Sequence, residues 1–428
     1  MTFSYFWLFI LLLAAGTPVV FALLIAPGMS LFLDGETVFY KALLSRLYNG
    51  IDSFPLMALP FFILAGQLMH SGGITRSIVG FSQAMIGHLR GGLAQVNIFS
   101  SLLFAGLSGS AVADASALGK IFVPAMSQAG YSRPFAAAVT TASAVIGPII
   151  PPSGIMILYA YIMNVSVAGL FAAGIVPGLL IAVGLMLITS YLASARDLPA
   201  ASSKANWRER GQAFRGAAPA LLTPVILLGG IITGLFTPTE AAAVAATYAL
   251  LVAVFFMRTL KIKDLLPIFV DSAAQSGIVL LLVGASVAFA WLITVSGLAG
   301  LLAGAVEAFA DNKLLLLFVL NLLLLLIGMF LDAGPAVLVL GPVLGPVFIN
   351  MGVDPIHFAV VMCVNLTVGL ATPPMGLALF VGASVSGQRV ETIARYMLPF
   401  LLVEIVVIFL ITYFPILSLA LPRWLGFA

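Results

Sequence analysis

The chain has 428 residues, 62% of them hydrophobic and only 8% charged, where soluble domains carry roughly a quarter charged. That excludes a soluble globular protein and indicates a polytopic membrane protein. The net charge of +3 is small and its basic residues lie in short loops, which argues against a nucleic-acid partner.

The single cysteine, Cys363, sits in an apolar segment, so neither an internal disulfide nor a cysteine metal site is expected. His70, His88 and His357 are scattered without ligand spacing.

The first basic residue is Lys41, so the N-terminal apolar run lacks the basic flank of a signal peptide and is read as a membrane segment. Tyr5 to Leu33 is apolar apart from Gly16, Thr17 and Pro18. It forms one bent span or two short ones, since about 20 residues suffice to cross. Asp34 to Ser53 is expected at the interface, Phe54 to Gly72 as a span, and Thr75 to Leu89 as an amphipathic interfacial helix. Gly92 to Gly130 has no polar loop outside the membrane and reads as a re-entrant hairpin with its tip in GLSGSAVAD, Gly106 to Asp114.

Phe135 to Met163 is an apolar helix broken by ASAVIGPIIPPSG. A proline lacks an N–H, so the carbonyl four residues earlier loses its helical partner. Pro148, Pro151 and Pro152 would thus free the carbonyls of Ala144, Gly147 and Pro148. Bare carbonyls survive at membrane depth only where they line a cavity or hold a ligand, and Na⁺ suits them.

Val167 to Ala195 is a span and Arg196 to Arg215 a hydrophilic loop. Ala217 to Phe236 and Glu240 to Met257 are spans joined by TPTE, where Thr237 and Glu240 form a capping box with Pro238 at the first helical position. Ser276 to Thr294 spans, and Gly297 to Asp311 is expected at the interface. Leu314 to Gly352 is a second hairpin turning at GMFLDAG, and Phe358 to Val385 a second broken helix. There Pro373 and Pro374 would free the carbonyls of Gly369 and Leu370. Met397 to Pro415 is the last span.

The two breaks lie 222 positions apart. The same shift pairs Gly106 with Gly328, Pro124 with Pro346, Gly147 with Gly369 and Pro177 with Pro399. Glycine and proline carry this match, which indicates an internal repeat. Five spans separate the hairpins, an odd number, so the halves are inverted. With the loop after Ala195 taken as cytoplasmic, thirteen basic residues fall on that side against Lys41, Arg46, Lys313 and Arg423 outside, in keeping with the positive-inside rule.

The expected fold is an all-α polytopic membrane protein with inverted-topology repeats, about 10–12 transmembrane segments, two re-entrant helical hairpins and discontinuous helices. Residues 1–91 and 196–313 would be scaffold and interfacial helices, and 92–195 and 314–428 the two transport repeats. Inverted repeats with broken helices suit a secondary transporter, with half-helix N-termini toward anions and unwound carbonyls toward a coupling ion. Candidate ion ligands are Ser108, Gly109, Ser110, Gly147, Ile150 and Pro152 in the first half, and Gly328, Asp332, Gly369, Thr372 and Pro374 in the second. A small carboxylate would sit near Ser110, Asp114, Ser153, Thr372 and Met375.

The strings GLSGSAVAD, IIPPSG, GLFTPTEAAAVAA and GLATPPMG, spread through nearly the whole chain, resemble the large membrane subunit of tripartite ATP-independent periplasmic (TRAP) transporters. The resemblance implies a Na⁺-coupled elevator-type importer of organic acids, such as dicarboxylates or sialic acids, in a bacterial inner membrane. It also implies a small four-helix membrane subunit, expected as a separate polypeptide, and a periplasmic substrate-binding protein.

Other readings are a passive anion channel and an intramembrane serine protease. The latter arises because Gly106-Leu107-Ser108-Gly109 matches a G-x-S-G motif, although only His357 could serve as its base from within a span. Asp271 and Glu404 are expected to pack against another helix or the partner subunit. Asn164 and Asn365 are expected as helix-end or interhelical hydrogen bonders.

Overall fold

A computed structural model describes residues 4–195, 203–297, 300, 304 and 312–427. Among these there are helices and no strands. The N-terminal apolar run forms two short helices, α1 (Ser4–Ala14) and α2 (Val19–Leu33), which break at Gly16 to Pro18 and pack on each other. Next come the amphipathic α3 (Tyr40–Ile51), then α4 (Ala58–Ser71) and the amphipathic α5 (Ile74–Ile86).

The first hairpin is α6 (Gly92–Ser108) and α7 (Ala111–Gln128), and the first broken helix is α8 (Arg133–Ala144) and α9 (Gly154–Met163). α10 (Val167–Ala195) matches the expected span residue for residue. α11 (Trp207–Ile232) begins within the stretch read as a loop, because Asn206 and Glu209 form a capping box that the charged composition concealed.

The expected box at Thr237 and Glu240 does start α12 (Pro238–Leu251). α13 (Ile262–Ser296) starts well before the expected Ser276. The segment read as interfacial, 297–311, lies almost wholly outside the described residues.

The second half repeats the pattern with α14 (Lys313–Phe330), α15 (Ala333–Asn350), α16 (Pro355–Gly369), α17 (Leu377–Ser386) and α18 (Val390–Tyr413). α18 begins before the expected Met397, and α19 (Ile416–Trp424) was not foreseen. Eight helices among the described residues are long and apolar enough to cross a membrane, and the shorter apolar helices include α9 of the first break and both halves of the second.

The shift of 222 carries the bounds of α7 onto those of α15 and the start of α8 onto that of α16. The packing obeys the same exchange. α7 packs on α17 and α15 on α9, while α8 packs on α18 and α16 on α10, and α10 and α18 cross each other. Reciprocal pairing of this kind interleaves the two repeats into one body. Around it, α3, α4 and α13 pack together, α12 lies on α4, and α11 lies on α5.

Each hairpin is tied to its broken helix by buried polar groups. Asn97 Nδ2 donates to Thr140 Oγ1 at 2.7 Å, and Ser101 Oγ to Ser143 Oγ at 2.8 Å, joining α6 to α8. In the second half Asn365 Nδ2 donates to Asn321 Oδ1 at 2.9 Å, and Thr412 Oγ1 lies 3.0 Å from the same oxygen, joining α14, α16 and α18. Asn365 is thus an interhelical hydrogen bonder, and Asn164 ends α9 in the left-handed conformation.

Interhelical hydrogen bonds in membranes contribute about 0.6 kcal/mol on average and at most about 2. Asn321→Leu removes the shared acceptor, so the unfolding free energy of the detergent-solubilised protein should fall by an amount in that range, seen as a lower melting temperature. An unchanged melting curve would show that the network carries no stability.

Candidate functional site

The first tip is built by local rules. Gly109 ends α6 at φ +60°, a left-handed conformation that favours glycine, and a methyl group there would lie 2.9 Å from Pro152 O. Ser110 then caps α7, accepting from Ala113 N–H at 3.4 Å. Ser108 Oγ donates to Asp114 Oδ1, while Asp114 Oδ2 is buried without a hydrogen-bond partner and lies against Gly147.

In the second tip Asp332 caps α15 through Oδ1, which accepts from Ala333 N–H at 2.8 Å, and it is exposed to the space beside it. Gly328 and Gly369 meet backbone to backbone, with a methyl group on Gly369 reaching to 2.6 Å of Gly328.

The breaks satisfy more carbonyls than proline counting allows. Gly147 N–H donates to Ala144 O at 3.1 Å, and Ser153 Oγ donates to Pro148 O. Thr372 N–H donates to Gly369 O at 2.9 Å, and Ala378 N–H to Leu370 O at 2.9 Å. Four of the carbonyls expected to be free are therefore engaged, because the chain tightens into turns that supply new donors. Among the described residues no hydrogen bond reaches the carbonyls of Gly147, Ile150 or Pro152. Ile150 lays its side chain over Gly178.

A cavity of about 730 Å³ brings the tips together. Ser108, Gly109 and Ser110 line it from one half and Asp332, Ala333 and Gly334 from the other, with Pro148, Pro152 and Leu370 from the breaks. Of the residues expected around a carboxylate, only Ser110 lies on its wall. Asp114 is buried behind the tip. Ser153 caps α9 from the interior, Thr372 is buried with its hydroxyl donating to Val368 O at 2.8 Å, and Met375 is exposed off the lining. Gly147, Ile150, Gly328, Gly369 and Pro374 are likewise off the wall.

The opposite wall comes from α4, α11, α12 and α13, including Phe62, Thr223, Ala245 and Gln275. Sequence reading missed Thr223, Gln275 and Ser384, since one polar residue in an apolar span has no local signature.

The electrostatics of the cavity are set by backbone more than by side chains. The first residues of four helices, Ala111 of α7, Gly154 of α9, Ala333 of α15 and Leu377 of α17, all line it. Each helix start carries partial positive charge worth about 0.3–1 kcal/mol to an anion, and up to about 2 when partly buried. Among the described residues no lysine, arginine or histidine is on the wall, and Asp332 is the one acidic residue there.

His357 Nδ1 is 2.7 Å from Ser418 Oγ, and the partner of Ser108 is Asp114. The serine and base of a protease are therefore not assembled. Asp271 is exposed on α13, whereas Glu404 is fully buried, with neither carboxyl oxygen hydrogen-bonded, so it does not face a partner subunit.

This inverted-repeat fold, with two tips around one central cavity, is that of a membrane transporter. The chain belongs to the DctM component family of the tripartite ATP-independent periplasmic transporters, whose model matches residues 6–417. It is 40% identical over 420 residues to the sialic acid TRAP transporter large permease SiaM of Vibrio cholerae, covering 97% of each chain. It is 38% identical over 386 residues to the C4-dicarboxylate large permease DctM of Pseudomonas aeruginosa, covering 90% of each. These relatives are named as permeases, not enzymes. The YdaH transporter of Alcanivorax borkumensis shares the fold, with a TM-score of 0.62 at 18% identity over 92% of this chain and 89% of that one.

The geometry makes a labelling prediction. In a Cys363→Ala background, Ser110→Cys and Asp332→Cys should react with a small hydrophilic thiol reagent, whereas Asp114→Cys and Thr372→Cys, at 0% and 5% exposure in the native side chains, should not. Equal labelling of all four would contradict the cavity boundary.

Proposed function

We propose that this chain is the large permease of a Na⁺-coupled importer of organic acids in a bacterial inner membrane. It would receive its substrate from a periplasmic binding protein and work beside a small four-helix membrane subunit. The observation that carries this reading is a central cavity edged by four helix N-termini and both tips, with one carboxylate and no basic side chain. Such a wall attracts an anion through backbone dipoles, yet it holds a negative charge of its own.

That conflict supports cation coupling. Two like charges about 4 Å apart repel by about 4 kcal/mol at an effective dielectric near 20. The start of α15 is already engaged by Asp332, so fewer N-termini remain for the substrate. A Na⁺ ion near Asp332 would cancel the repulsion, and anion binding would then require the ion.

Ser110, Ser108 and the open carbonyls of Gly147, Ile150 and Pro152 are hard oxygen donors for a second ion in the first half. Thr372 gives its proton to Val368 O, which leaves its oxygen lone pairs available to a cation. Asp114, beside Gly147, would neutralise the ion of that half.

The organic-acid class follows from the relatives, which are named for sialic acid and for C4-dicarboxylates. An elevator movement fits the packing, in which the interleaved repeats form one body against α3, α4, α11, α12 and α13.

Liposomes containing the chain, its small membrane subunit and its binding protein should accumulate organic acids only with an inward Na⁺ gradient. Ser110→Ala and Thr372→Ala should each weaken the apparent Na⁺ affinity about tenfold or more, as loss of a ligand contact to a charge costs about 1.5–3 kcal/mol. Saturable uptake without Na⁺, or single-channel currents, would overturn the reading.

A further inference from the structure

The wall opposite the tips is apolar except at two places. Leu59, Phe62, Leu227 and Ile278 are typical of it, while Thr223 of α11 and Gln275 of α13 interrupt it. Thr223 is 2% exposed and its Oγ1 has no hydrogen-bond partner. Gln275 is exposed, lines the cavity and makes no hydrogen bond among the described residues. Unpaired polar groups in an apolar wall at membrane depth are costly and mark functional contacts.

We propose that Gln275, backed by Thr223, is a specificity-determining contact for carboxylate or hydroxyl oxygens of the substrate, made from the scaffold side in one conformation of the transport cycle. The inference rests on the transport reading above. An amide offers two donors and one acceptor without net charge. It can therefore orient an oxygen-rich anion without holding it as a guanidinium would.

The two walls come from different sets of helices: α11 and α13 pack chiefly with α5, α4 and α3, and the tips chiefly with α8, α9, α16 and α17, with α13 also resting on α15 and α6 on α5. A substrate that travels with the tips loses the amide when the bodies slide. The contact then acts on one face of the membrane and leaves the ion sites untouched.

The test uses full-length chain reconstituted with its membrane partner and binding protein, with succinate and N-acetylneuraminate as probes and uptake and efflux measured separately. Gln275→Leu should raise the half-saturation concentration of the transported probe roughly five- to tenfold in one direction only, with the Na⁺ half-saturation unchanged. Gln275→Asn should recover part of the loss, and gel filtration should show all variants folded.

If Gln275→Leu matches the wild type in both directions while Ser110→Ala still weakens Na⁺ dependence, the inference is overturned and the transport reading stands. A change of equal size in both directions, or a shift in Na⁺ dependence, also overturns it. Absence of Na⁺-dependent uptake of either probe by the wild type would overturn the transport reading, and this inference with it.

Discussion

Backbone polar groups at membrane depth must be matched within the protein, and the two broken helices are organised by that requirement. Where the helix stops, the chain re-forms short turns so that Ala144, Pro148, Gly369 and Leu370 all keep a donor for their carbonyls. Among the described residues, carbonyls stay open in both breaks, at Gly147, Ile150 and Pro152 in the first and at Ala371, Pro373 and Pro374 in the second. The same breaks produce fresh helix starts at Gly154 and Leu377, which join the starts at Ala111 and Ala333 around one cavity. Helix ends that would be a liability in lipid become the field that an anion meets.

The repeat is accurate in backbone and unequal in chemistry. Ser110 caps α7 where Asp332 caps α15, and Asp114 occupies a position that is Ala336 in the second half. In consequence Gly147 faces a buried carboxyl, while Gly369 is closed against Gly328. One half keeps its acid behind the tip and the other presents it to the cavity. The two inverted copies thus share one backbone plan while presenting unlike chemistry at their tips.

Much of this was legible in the sequence because glycine and proline set backbone shape without help from distant residues. The hairpins, both breaks, the 222-residue shift and the capping box at Thr237 rest on such local rules. What failed depended on tertiary closure. Proline counting names the carbonyl that loses its old donor, and it is blind to a new one such as Ala378 N–H. Asn206 and Glu209 were hidden in a charged stretch that read as loop. Gln275 and Thr223 had no motif at all, since their importance comes from facing the tips across a cavity. Thr372 and Met375 were close in sequence to the break, yet the turn carries them off the cavity wall.

The account depends on the interleaved repeats moving as one body past the surrounding helices. His70 on α4 and Lys120 on α7 are both exposed and belong to the two sides of that boundary, so a bridge between them reports on it. The direct measurement is Na⁺-driven uptake by a His70→Cys, Lys120→Cys variant in the Cys363→Ala background, before and after bridging with a short bifunctional thiol reagent. The account predicts that the bridge arrests uptake and that a cleavable bridge restores it on reduction. Undiminished uptake with the bridge complete would contradict it.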